Sequence, residues 1–223
     1  MKHLTIILTC LAIWFSSSAQ NAQDPYPDFL EEVFMDMDFA QNLATPEVPQ
    51  ESKAGVVERI KAVADAFSKR LPEAMKSVVG TRLERNNEVF VVTYPADELF
   101  NPNDTLLSKY ADRALQEIIP LMKDPYLFKI VYAVSSDNTG SETYQGELTD
   151  TRMNSIYDWF WKMIDANKIP EEIIVIPESL AASHPVADNL TRENRRKNRR
   201  IEFYFIPGPK LLEEAATIKY ALW

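Results

Sequence analysis

The sequence predicts an α/β fold, an α+β sandwich with helices packed on a small mixed four-stranded sheet. Three observations carry this. Short β-branched and aromatic runs, such as Glu88-Val-Phe-Val-Val-Thr-Tyr94, alternate with segments of helical spacing. Residues 126–134 are apolar nearly throughout, as in a strand covered on both faces. A hydrophobic content of 46% is enough for a real core.

The first 19 residues read as a signal peptide. Lys2 and His3 precede an apolar run, and Ser17 and Ala19 suit cleavage before Gln20. The run is shorter than the roughly 18 residues a membrane span needs. Cys10, the only cysteine, lies inside it and leaves with it. A lipid-anchored form would need its cysteine at the end of a longer apolar run. The exported chain then has no disulfide, no cysteine nucleophile and no Cys–metal site. His3 leaves too, so no His cluster, no metal and no cofactor is expected.

Residues 20–52 hold eight Asp or Glu and no Lys or Arg, with Pro25, Pro27, Pro46 and Pro49. They read as an acidic linker. Its apolar piece, Phe29 to Phe39, fits either a short helix or an arm lying on the domain. Residues 53–79 form a helical arm. Val56, Ile60, Val63 and Phe67 make one stripe, suited to packing on the main domain or to a short dimer seam.

The main domain spans 80–207. Strand 88–94 leads to a loop ending in Asn101-Pro102-Asn103-Asp104, read as turn and helix cap. A helix over 105–123 follows, then strand 126–134. A helix over 149–167 places Ile156, Trp159, Phe160, Met163 and Ile164 inward. A short strand at 173–176, a helix over 190–197 and a last strand over 199–206 complete it. In the last strand Ile201, Phe203 and Phe205 alternate with Glu202 and Tyr204. Residues 208–223 form a tail with a short helix.

Formal net charge is −9, which argues against nucleic-acid binding. The base is concentrated: residues 192–200 hold six Lys or Arg and one acid. Most of that run reads as a solvated helix face. Enzyme chemistry is weakly supported. Ser135, Ser136, His184 and Asp137 are triad types, but no Gly-x-Ser-x-Gly turn is present. The chain reads as a non-enzyme.

Asp137 ends the apolar strand, and Arg152 falls in the first turn of the 149–167 helix. A carboxylate and a guanidinium facing one cleft can hold a zwitterion, ammonium on one and carboxylate on the other. On the residues alone, a structural salt bridge between them is the plainer reading.

The spacing adds more. From Asp137, Gly140 stands at +3, Tyr144 at +7, Leu148 at +11, Thr149 at +12 and Arg152 at +15. Downstream come His184-Pro-Val-Ala-Asp-Asn189 and Asn198-Arg199-Arg200-Ile201-Glu202-Phe203. Upstream, Leu99-Phe100 precedes Asn103-Asp104-Thr105 and Leu107. In this order, over about residues 80–206, they resemble the OmpA-like peptidoglycan-binding domain. Three positions depart from that family. Val134 and Ser135 replace a Gly and a ring-bearing residue before the Asp. Gln145 replaces an Asn after the Tyr. Val134 must point into either the core or the pocket mouth.

The resemblance implies meso-diaminopimelate of a peptidoglycan stem peptide as ligand, with Asp137 on its ammonium and Arg152 on its carboxylate. Thr149 would cap the helix, whose first-turn N–H groups would assist. Arg199 would add a second cation, and Ser136, Gln145 and Leu148 would line the pocket. It further implies an exported protein of the periplasm, associated with the outer membrane and cell wall. Residues 20–79 offer a surface for an outer-membrane partner or a homodimer. The alternative is an assembly module of this family that has lost muropeptide binding.

Overall fold

The computed structural model describes residues 37–43, 50 and 52–218. The signal peptide, Cys10, most of the acidic linker and residues 219–223 lie outside the described residues. No described helix is long and apolar enough to cross a membrane.

The described helices are α1 (Phe39–Asn42), α2 (Lys53–Arg70), α3 (Glu73–Lys76), α4 (Ala96–Leu99), α5 (Ala111–Leu115), α6 (Glu142–Asp165), α7 (Arg192–Asn198) and α8 (Pro209–Ile218). A 3-10 helix covers Gln116–Met122. The strands are β1 (Gly80–Glu84), β2 (Val89–Pro95), β3 (Phe128–Ser135), β4 (Val175–Ala181) and β5 (Arg200–Pro207). They form one mixed sheet in the order β1-β2-β5-β3-β4. Only β3 and β4 are parallel, joined through α6.

The sheet has five strands, not four. The additional strand, β1, carries Arg82 and Glu84 and little apolar surface. Charged residues suit an edge strand, where pairing to another chain is discouraged. The turn into β2 places Arg85, Asn86 and Asn87 at φ of 51°, 58° and 69°. Asparagine tolerates this left-handed region better than most residues.

Other boundaries move for local reasons. Residues 105–110 form loop and turn rather than helix. After α5 the chain tightens to 3-10 geometry around Pro120, which cannot donate an intrahelical bond. β4 runs through Pro177 to Ala181, which an edge strand allows. The helix expected from 149 begins at Glu142, capped by Ser141, whose side chain accepts the Tyr144 N–H at 3.1 Å.

One sheet face carries the main core. Phe90, Phe203, Phe205, Tyr132 and Phe128 meet Phe160 and Trp159 from α6 and Phe67 from α2. Val56, Ile60 and Phe67 of the α2 stripe are fully buried in this core. Against α2 lies α8, and a Cβ on Gly55 would sit 2.6 Å from the Ala215 carbonyl oxygen. The glycine permits that close approach.

The opposite face combines Val89, Val91, Val131, Ala133, Ile176 and Ile206 with buried charge. Glu202, 1% exposed, is held by Arg82 at 2.7 Å and Arg200 at 2.9 Å, and accepts the Tyr204 hydroxyl. Residues 37–43 strap across this face. Phe39 sits edge-on to Tyr204 and His184, and Asn42 donates to Glu178 at 2.8 Å. Lys129 donates to the Asn42 carbonyl, and burial pushes its ammonium down to about 8.

Candidate functional site

The site forms where β3 ends beside the start of β5. The Ser136 N–H donates to Ala181 at 2.7 Å, so the exit from β3 is pinned to β4. Asp137 follows, 6% exposed. One of its oxygens accepts the Thr139 N–H at 2.8 Å. The other meets Arg199 Nη1 at 2.6 Å. Burial pushes the Asp137 pKa up, but the hydrogen bonds from Thr139 and Arg199 outweigh it and hold the carboxyl below its usual value.

Gly140 then turns the chain at φ 87°. A Cβ there would lie 2.8 Å from the Tyr144 ring, so glycine is required twice over. Tyr144 reaches over to donate to Asn103 at 3.4 Å.

Arg152 sits in the third turn of α6 rather than the first. Its Nε donates to the Asp104 carbonyl at 2.9 Å and its guanidinium lies 4.8 Å over the Phe100 ring. Burial lowers its pKa, with Asp97, Tyr144 and Asp104 pulling it up and Arg199 pulling it down. No salt bridge joins Asp137 to Arg152 among the described residues, so the plain structural reading of that pair does not hold. The cation on Asp137 is Arg199.

Arg199 bridges two carboxylates. Its Nε and Nη2 lie 3.3 and 3.2 Å from the two oxygens of Asp97. Burial lowers its pKa, but the hydrogen bonds it donates to Asp97 and Asp137 carry it above the usual value. The Arg199 carbonyl also accepts the Ala96 N–H at 2.9 Å, tying α4 to the head of β5. Asn198, fully buried, fastens the 184–191 loop by accepting from the Val186 and Ala187 N–H groups.

The remaining expected residues divide. Ser136 is buried with its hydroxyl unpartnered beside Asp137. Gln145 is buried and donates to the Gly140 carbonyl at 3.1 Å. Leu148 is half-buried. Thr149 does not cap the helix. It lies two turns in, donates to backbone carbonyls of Gln145 and Gly146 and accepts the Ser179 hydroxyl. The first-turn N–H groups therefore belong to residues after Ser141, not to Thr149. The apolar periodicity of α6 starts late, whereas its cap is a polar Ser, so the pattern of apolar residues does not mark its first turns.

Val134 resolves to the core side, 1% exposed. Ser135 points to the opposite face of the sheet. Val134→Gly is therefore expected to cost about 2–4 kcal/mol of stability by emptying a packed site. Ligand binding should change little, which thermal melts and titration on the same samples will check. No triad forms from the serines, His184 and Asp137. His184 pairs with Ser183 at 2.8 Å and packs on Phe39.

The sequence alone does not single out Asp97. It lies two residues after Pro95, and its partner is 102 residues away. The signal is the strand pairing: Pro95 stands opposite Arg200 in the β2–β5 register, which places Asp97 beside Arg199.

No protein-family model matches the chain. Over 120 residues it is 27% identical to outer membrane protein A of Bordetella avium. That match covers 53% of this chain and 59% of the relative. Among solved structures, a MotB-like protein from Desulfovibrio vulgaris superposes with a TM-score of 0.58 at 20% identity. It covers 69% of this chain and 94% of the other. The type VI secretion cell wall anchor of Pseudomonas aeruginosa matches with a TM-score of 0.47 at 21% identity, over 72% of this chain and 99% of the other.

Proposed function

We propose, from the OmpA-like fold that it shares with a MotB-like protein, that the chain is a non-enzymatic peptidoglycan-binding anchor of the cell envelope. Its ligand is the diaminopimelate of a stem peptide, whose free end carries both an ammonium and a carboxylate. Asp137 takes the ammonium. Arg152, with Arg199, takes the carboxylate. Ser136 supplies a hydroxyl, and Gln145, Leu148 and Thr149 shape the wall.

One observation carries this reading. Around the end of β3, charges of both signs gather, the carboxylates of Asp137 and Asp97 with the guanidiniums of Arg199 and Arg152. A site that carries both signs suits a ligand that carries both signs. Each charged hydrogen bond contributes on the order of 1.5–3 kcal/mol, so micromolar-class binding needs no catalysis.

The test compares two stem peptides. Lysine in place of diaminopimelate lacks the carboxylate. It should bind at least about tenfold more weakly, a loss of roughly 1.4 kcal/mol. Equal affinity in calorimetry would end the zwitterion argument. The rival, an assembly module without muropeptide binding, is favoured by the internal Asp137–Arg199 pair, which already satisfies the carboxylate. Sacculus pull-down separates the two. In either case the fold works in the cell envelope as an exported protein, and the outer-membrane partner through residues 20–79 belongs to the same proposal.

A further inference from the structure

Asp137 is not free to receive an ammonium. Arg199 Nη1 stands 2.6 Å from it, in the position an ammonium ligand would take. Binding must therefore exchange one cation for another. The cost of that exchange depends on where Arg199 goes.

Resting on the zwitterion reading above, we propose that Asp97 is the residue that sets the charge selectivity of the site, by holding Arg199 while Asp137 changes partners. Three features lead there. First, Asp97 grips the edge of Arg199 that Asp137 does not use, through Nε and Nη2 rather than Nη1. Releasing Nη1 therefore leaves a complete two-point carboxylate–guanidinium contact in place. Second, the backbone bond from Ala96 N–H to the Arg199 carbonyl keeps Asp97 and Arg199 in register while the side chain pivots. Third, Asp97 balances the charge. With it Arg199 and Arg196 share a carboxylate. Without it the site gains one net positive charge.

The freed Nη1 then faces the incoming carboxylate beside Arg152. The ligand's ammonium replaces Arg199 on Asp137, and its carboxylate replaces Asp137 on Arg199. Asp137 and Arg199 thus keep a charged partner throughout, and Arg152, held until then only by backbone carbonyls, gains one. A ligand with only one charge leaves one protein group unmatched, so the exchange favours a zwitterion. Asp97 is a positioning residue in this scheme: it acts through Arg199 and need not touch the ligand. It is exposed, and its polar partners are Arg199 and Arg196, so its replacement spares the core.

The experiment uses the whole exported chain, Asp97→Asn and Asp97→Glu. Three tripeptides serve as probes: the diaminopimelate form, the same peptide acetylated on its side-chain-end amine, and the lysine form. Wild type should prefer the zwitterion over both. In Asp97→Asn the zwitterion should weaken about tenfold, because Arg199 now has only Asp137 as partner and competes harder for it. The acetylated, carboxylate-only probe should bind at least as well as to wild type. Asp97→Glu should restore the preference in part. An unchanged preference in Asp97→Asn would overturn the assignment while leaving the binding site intact.

A second readout needs no ligand. In a carbon-detected NMR titration, the Asp137 carboxyl midpoint should fall in Asp97→Asn, since Arg199 commits to it more fully. Loss of a nearby negative charge lowers that midpoint by itself, so the Arg199 Nε–H is read in the same samples: it should exchange faster with water in Asp97→Asn, having lost its carboxylate acceptor, and a merely structural Asp97 would leave that exchange unmoved. If wild type binds none of the probes, the anchor reading falls, and this exchange rate alone decides whether Asp97 holds Arg199: faster exchange supports it, unchanged exchange refutes it.

Discussion

Asp137→Ala is expected to abolish retention by purified sacculi while the domain stays folded. The carboxylate is the anion that directly follows β3 and would meet the ammonium, and its loss leaves a charged ligand end unpaired. Truncating one partner of a buried charge pair costs about 2–5 kcal/mol of binding, enough to move a micromolar ligand out of reach. The fold tolerates the change because Arg199 keeps its two-point contact with Asp97. Arg152 needs a gentler substitution. It props the 101–104 loop through the Asp104 carbonyl and covers Phe100, so Arg152→Ala removes structure as well as charge. Arg152→Lys keeps the charge and loses the planar fork. It should bind sacculi weakly with a near-native melt. If both Asp137→Ala and Arg152→Lys pellet like wild type, the assigned site is wrong.

The largest stability effect is expected at Glu202. This carboxylate is 1% exposed and stands between Arg82 and Arg200. Glu202→Ala leaves Arg200, itself 6% exposed, as an uncompensated buried charge. Breaking a buried pair from one side costs about 3–5 kcal/mol. In a protein of this size each kcal/mol moves the melting midpoint by about 2–4 °C, so a fall of roughly 6–20 °C should appear in a thermal melt. The origin of the loss can be tested too. Replacing Arg82, Glu202 and Arg200 together by apolar residues of similar volume should recover most of it, because no orphan charge remains. A triple variant as unstable as Glu202→Ala would place the loss in packing rather than charge.

These two results rest on parts of the molecule that were unequally legible in the sequence. The strands β2, β3 and β5 were readable because Val, Ile, Phe and Tyr dominate them. β1 was not, since Gly80 to Glu84 has one aliphatic side chain and is specified by its partner, β2, and by the Arg85-Asn86-Asn87 turn. The start of α6 was hidden for a similar reason: Ser141 and Gly140 set it, while its first apolar contacts come turns later. At the site, spacing marked Asp137, Gly140, Tyr144 and Arg152, each of which has a distinct local task. Spacing could not reveal that Asp137 already holds Arg199, or that Asp97 shares it. Those contacts join residues 62 and 102 positions apart, and only the sheet register brings them together.

The strap at residues 37–43 has a mechanical consequence. Tension applied at Met37 enters the domain through Asn42, which is bound to Lys129 at the start of β3 and to Glu178 on β4. Tension from a held ligand would leave at Asp137, beyond the far end of β3. The load therefore runs along the length of β3, which is hydrogen-bonded to β5 on one side and β4 on the other. Pulled this way, the covalent backbone of β3 carries the load between its two ends, and the share that enters at Glu178 loads the β3–β4 ladder in shear rather than unzipping it from an edge. A tether attached at β1 would have met the opposite situation, a short outer strand that can be peeled away. The position of the strap thus makes a strand paired on both sides the one that bears the pull.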